Sequence, residues 1–169
     1  MNCGLRPMFA LPTSERSIEM STELTHFIGR QLEGFDRQVT REIVGEFASV
    51  IGENDPMYFD VAVARELGMK DIPAPPTFLI TLEIDNRDSL RFIRELGLDT
   101  AMVLHGEQAF HFRSLVYAGD AIQVHRRIID AGSKGAMTYL VTLNTFQRGD
   151  DMVATSECTW LIKSRQDSR

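Results

Sequence analysis

The stretch VIGENDPMYFD, from Val50 to Asp60, brings Glu53, Asp55 and Tyr58 within a few residues of one another. A carboxylate can serve as a base when burial raises its pKa, and a phenol can donate a hydrogen bond. Those three side chains are therefore the candidate catalytic residues. Each also has a structural alternative. Glu53 can cap the chain locally or sit solvated. Asp55 can close an Asx-type turn before Pro56, and Asn54 reads as loop chemistry. Tyr58, whose reference pKa is near 10, is a poor base and can pack into the core or a subunit interface.

Other chemistries find less support. His26, His105, His111 and His125 are scattered, with no HExxH or paired spacing, so no metal site is expected. His111 alternates with Phe110 and Phe112, and it faces outward if the rings face the core. Cys3 and Cys158 have no CxxC spacing, which argues against a disulfide framework and suits a reducing cytoplasm. Gly-rich phosphate loops and Ser-His-Asp or Cys-His arrangements are absent, and no cofactor is implied.

The elements that must position these residues follow from periodicity. Ser21 or Thr22 can cap a short helix reaching Gly29. Thr40 caps a helix whose apolar stripe runs Ile43, Val44, Phe47, Val50 and Ile51, with Gly52 as its stop. The chemical stretch thus begins just past a helix C-terminus. Asp60 caps a second helix that ends at Gly68. Ile72 to Pro76 must be extended, because its prolines block helix and deny strand bonds. TFLITLEI, from Thr77, is a buried helix or a buried strand, and its pattern does not decide between them. SLRFIRELGL is an amphipathic helix ending at Gly97. Beyond Ala101 come four strand-like runs separated by YAGD, AGSKG and RGDD, which read as turns. The layout is helices first and then a curved antiparallel meander, an α+β domain.

Length and composition fit one domain. The 169 residues are 43% hydrophobic and 25% charged. Residues 21–164 form the expected domain. Residues 1–20 read as a disordered extension, with Met20 as an alternative start, and 165–169 as a tail. A net charge of −6 argues against nucleic-acid binding, and no apolar run reaches the length of a membrane span. His125-Arg126-Arg127 reads as the solvated face of a strand.

Three stretches together resemble the MaoC-like branch of the hotdog fold. They are FASVIGENDPMYFDVAVARELGMKDIPAPPTFL, FHFRSLVYAGDAIQV and the closing strands through TWLI. The resemblance runs from about Phe27 to Ile162. It implies a single hotdog, a curved antiparallel sheet wrapped around a central helix. It also implies (R)-specific 3-hydroxyacyl thioester dehydratase or enoyl thioester hydratase activity on an acyl-CoA or acyl-carrier-protein thioester. The hydratase motif reads Gly-Asp-x-Asn-Pro-x-His. Gly52 and Pro56 match it, but Glu53, Asp55 and Tyr58 stand where Asp, Asn and His are expected. In this respect ENDPMYF looks like the noncatalytic half of such enzymes, paired in a homodimer or with a catalytic MaoC-like subunit. The resemblance further implies that Pro75, Pro76, Thr77 and Phe78 enter the central helix and bind substrate, a backbone N–H there holding the thioester carbonyl.

Overall fold

A computed structural model describes residues 24–83, 88, 90–134 and 137–163. The extension and tail expected at 1–20 and 165–169, Cys3, Met20 and the Ser21/Thr22 cap lie outside them. Five strands form one antiparallel sheet: β1 (Phe35–Gln38), β2 (Val103–Phe112), β3 (Ala121–Lys134), β4 (Met137–Arg148) and β5 (Asp151–Lys163). Among the described residues the α-helices α1 (Arg41–Val50), α2 (Val61–Glu66), α3 (Leu79–Leu82) and α4 (Arg91–Glu95) precede β2. Among the described residues no helix is long and apolar enough to cross a membrane.

The helix signals work as expected. Thr40 Oγ1 accepts from Ile43 N, and Gly52 follows the helix with φ 78°. Asp60 caps α2 through Ala62 N. The ambiguous TFLITLEI is helical as far as Leu82: a 3-10 turn at Pro76–Phe78 runs into α3. Proline fits the first turn because it lacks only an N–H that would otherwise be unpaired.

The sheet departs from a simple meander. Its order is β1-β3-β4-β5-β2, so only β3, β4 and β5 are neighbours in sequence and in space. β2 pairs with β5, and the short FDRQ strand β1 adds to the other edge. Four residues of mixed polarity carry too little alternation for sequence to show that strand. AGSKG is not a turn at its start: Ala131 to Lys134 continue β3. Gly132 is a strand residue because its neighbour Tyr139 lies over it. A Cβ there would come within 2.7 Å of the Tyr139 hydroxyl.

One sheet face is buried, and two apolar clusters lie on it. The first joins Val44, Phe78, Leu79 and Leu82 to Ile122, Val124, Phe146 and Ala154. The second joins Phe92 and Ile93 to Ile128, Leu140, Trp160 and Ile162. Between them runs one polar row. The register sets Arg126 opposite Asn144, and Asn144 opposite Ser156, all three buried. The solvated-face expectation therefore fails for Arg126. Strand alternation sends His125 and Arg127 outward and Arg126 inward. His111 is exposed, but Phe112 is also half exposed, at 51%, because β2 is a sheet edge.

Candidate functional site

The loop after α1 is held almost entirely by its own neighbours. Glu53 N–H donates to Ala48 O, closing the helix end. Glu53 Oε1 accepts from the backbone N–H groups of Asn54 (2.9 Å) and Asp55 (3.1 Å). Asn54 Nδ2 donates to Gly52 O at 3.0 Å. Asp55 Oδ1 accepts from Met57 N–H at 3.0 Å and caps the 3-10 turn Pro56–Tyr58. These bonds are exposed and span one or two residues.

Tyr58 is half-buried and lines a surface cavity of about 370 Å³ with Arg41, Phe59 and Ile72. Burial pushes its phenol above 10, and the charges of Glu53 and Asp55 push it further. It is a neutral hydroxyl near neutral pH, able to donate but not to act as a base. Among the described residues its hydroxyl makes no hydrogen bond. Glu53, Asp55 and Tyr58 are thus brought together, with the two carboxylates engaged by backbone donors.

The proline segment occupies a second place. Ala74 N donates to Val116 O, and Ala118 N to Ile72 O, so the segment borders the chain entering β3. Arg41 grips Asp71 through one guanidinium edge, Nε and Nη2 donating to the two carboxylate oxygens at 2.9 and 2.7 Å. That contact holds the Asp71 carboxyl down to about 2. Asp120 of the Gly119-Asp120 turn accepts from Lys70, from Arg148 and from Tyr117 N–H. Burial pulls its pKa up, but these donors more than offset it and leave it below the ordinary range.

Pro75 and Pro76 then line a largely apolar cavity of about 360 Å³ with Ala74, Leu79, Phe112 and Val116. Thr77 is exposed beside it. Phe78 points into the core, 1% exposed, and meets Phe47 edge to face at 5.6 Å. Within the fold it packs rather than lines a cavity.

A third group was missed by the sequence reading. Glu83 follows α3 and is only 6% exposed. Its Oε1 accepts from Ser156 Oγ and from Gln108 Nε2. Asn144 Nδ2 donates to Ser156 Oγ at 3.0 Å, and Arg126 Nε donates to Asn144 Oδ1 at 2.7 Å. Arg126 also reaches the Glu83 carbonyl and lies over the Phe92 ring. His105 shares a hydrogen bond with Gln108 Oε1. Burial pushes the Glu83 carboxyl up, while Ser156, Gln108 and the Arg126 charge pull it back only partly. The Cys158 thiol is pushed up to about 12, by burial and then by the Glu83 charge. It is a free, buried cysteine with little thiolate character. The signals were present: a lone acid inside TFLITLEI, and Arg126 at a position whose strand neighbours two away, Val124 and Ile128, are apolar. Among the described residues no group of His, Cys, Asp and Glu is arranged to hold a metal ion.

Comparison with known proteins settles the family. Residues 26–156 match the family described as the FAS1-like dehydratase domain region. The chain belongs to this family. The FAS1-like chain is 35% identical over 138 residues to a UPF0336 protein of Parafrankia sp., covering 78% of itself and 88% of the relative. It is 39% identical over 126 residues to a UPF0336 protein of Clavibacter michiganensis, covering 74% and 85%. Among solved structures, it resembles a chain of the truncated HadBC complex, a 3R-hydroxyacyl-ACP dehydratase from Mycobacterium tuberculosis. Identity there is 25%, the TM-score is 0.68, and the match covers 80% of this chain and 96% of that one. A chain of the ChsH1-ChsH2 complex of the same organism shares the fold, at 20% identity, TM-score 0.68 and coverage of 92% and 95%. A MaoC-like dehydratase shares it at 21% identity and TM-score 0.72, covering 83% of this chain but 43% of that one. The chain therefore has the hotdog fold that MaoC-like dehydratases share.

Proposed function

We propose that this chain is the noncatalytic subunit of an (R)-3-hydroxyacyl thioester dehydratase or enoyl thioester hydratase, acting in a reducing cytoplasm. It binds the acyl thioester, as acyl-CoA or acyl-carrier protein, and a MaoC-like hotdog partner supplies the Asp/His pair. Elimination of water needs a base at C2, an acid for the leaving hydroxyl and a donor for the thioester oxygen. The observation that carries the proposal is the state of the loop. One oxygen of the Glu53 carboxylate is held by two backbone N–H groups in an exposed turn, Asp55 caps Met57, and Tyr58 holds its proton. No group there is poised as the base. The apolar cavity at Pro75 and Pro76 suits the substrate, with a backbone N–H of the first turn holding the thioester carbonyl. The open β2 edge suits a partner hotdog, and the HadBC and ChsH1-ChsH2 complexes are heteromeric relatives in fold.

One observation favours a second reading. Glu53 is close enough to raise the Tyr58 pKa, so the two could act as a nonstandard acid–base pair on an unusual acyl-CoA. Hydration of short and medium trans-2-enoyl-CoA esters decides between them. The purified chain should be inactive alone and active when mixed with a MaoC-like subunit carrying the intact motif. Turnover by the chain alone, abolished by Glu53→Gln, would establish the second reading instead.

A further inference from the structure

At the Glu83 end of α3 lies a cavity of about 330 Å³, walled by Ile80, Leu90, Val103 and Trp160 and bordered by Glu83 and His105. This size lies at the small end of organic ligand sites. The hydrogen bonds around it run in one direction. Arg126 donates to Asn144, Asn144 to Ser156, and Ser156 to Glu83 Oε1. Gln108 donates to the same oxygen. Every donor converges on Glu83, and among the described residues none reaches Oε2. Buried acceptors are normally matched by a donor. Among the described residues the sealed side-chain oxygen without a partner is Thr138 Oγ1, so Glu83 Oε2 is not sealed and is open to accept from a guest in the cavity.

We propose that this cavity is a binding site for a neutral alcohol, an apolar body that places its hydroxyl on Glu83 Oε2 and its hydrocarbon against Trp160, Leu90 and Val103. The apolar walls account for the body. The carboxylate oxygen left open beside Oε1 accounts for the hydroxyl. The Arg126 guanidinium also lines the cavity and already places a positive charge near the Glu83 carboxyl, which disfavours a second cation there. The opposite end of α3, at Pro75 and Pro76, offers an apolar cavity without a buried carboxyl. The two sites are therefore chemically distinct. The alcohol site rests on nothing said above about thioesters.

Trp160 is the only tryptophan in the chain and lines the cavity, so its emission reports occupancy directly. The test titrates the full chain with cyclohexylmethanol, its methyl ether, methylcyclohexane and cyclohexylmethylamine. We expect the alcohol to shift Trp160 emission and to bind at least about tenfold more tightly than the ether, which lacks only the donor hydrogen. Glu83→Ala should erase that preference while methylcyclohexane still binds. Val103→Phe, which fills the apolar wall and leaves the polar groups in place, should abolish binding of both. Equal affinity for alcohol and ether in the native chain overturns the proposal, whether or not Glu83→Ala folds. An unchanged Trp160 emission also overturns it, and tighter binding of the amine overturns the assignment to neutral alcohols. No turnover is read, so the result is independent of the dehydratase proposal.

Discussion

The loop at Glu53–Tyr58 and the row at Glu83–Ser156–Asn144–Arg126 are both groups of polar side chains, but they use hydrogen bonds in opposite ways. In the loop, Glu53, Asn54 and Asp55 bond to backbone groups one or two residues away, in contact with solvent. In the row, partners are brought together from α3 and three strands and sealed between two apolar clusters. A local exposed bond can be exchanged for one with water at small cost. A buried one cannot, because the group left behind is unpaired in a medium of low polarity. The conspicuous acids therefore shape a turn, and the inconspicuous ones organise the interior.

Substitutions can break or sharpen this contrast. The largest effect is expected for Arg126→Met. It strips donors from Asn144 Oδ1 and the Glu83 carbonyl, and should cost about 3 kcal/mol in urea unfolding. A loss no larger than that of a surface substitution would remove the distinction between the two regions. Next comes the pH dependence carried by Glu83. Its native pKa is raised above 4.5, so the unfolded chain ionises first as pH rises. Its stabilising contribution is complete below that value and is lost as pH climbs through the native pKa, at up to about 1.4 kcal/mol per pH unit. Glu83→Gln should lack this loss, so its stability relative to the native chain should improve with rising pH. A constant difference from pH 4 to 8 would contradict the burial argument.

Smaller effects belong to the loop. Asp55→Ala removes the cap on Met57 and should cost about 1 kcal/mol, measured by the same unfolding curves. Glu53→Gln keeps an oxygen for the Asn54 and Asp55 N–H groups. Its stability should stay within about 0.5 kcal/mol of the native chain, and hydration in the presence of a catalytic partner should be unaffected. A severe loss of that activity would move the loop from a structural role to a chemical one.

The same contrast explains how much the sequence disclosed. Thr40, Gly52, Asp60 and Gly68 mark helix ends through bonds or backbone angles set within a few residues, and each is found where its type predicts. Motif order carried the family because the spacing from Gly52 to Pro76 is local too. The strand order was not legible, since β2 meets β5 and β1 meets β3 across long stretches of intervening chain. Arg126 was read with its neighbours His125 and Arg127 as one basic run, whereas alternate strand residues face opposite ways. Ser156 and Glu83 become partners only through the fold, across a separation no sequence window contains.

The arrangement of strands also bears on the order in which the chain can assemble. β3, β4 and β5 are joined as successive hairpins, the second through a two-residue turn at Gly149-Asp150. Both outer strands must instead close long loops before their bonds form, and that entropy is lost ahead of any gain. Assembly thus favours growth from the centre outward, with β2 docking late. By the same reasoning the outer strands, not the central three, are the parts of the sheet that can detach, and of the two β2 matters more for the cavities. Its residues border both cavities, Phe112 at one and Val103 at the other. Transient fraying of a single edge would open either cavity to a guest while the central three strands stay paired.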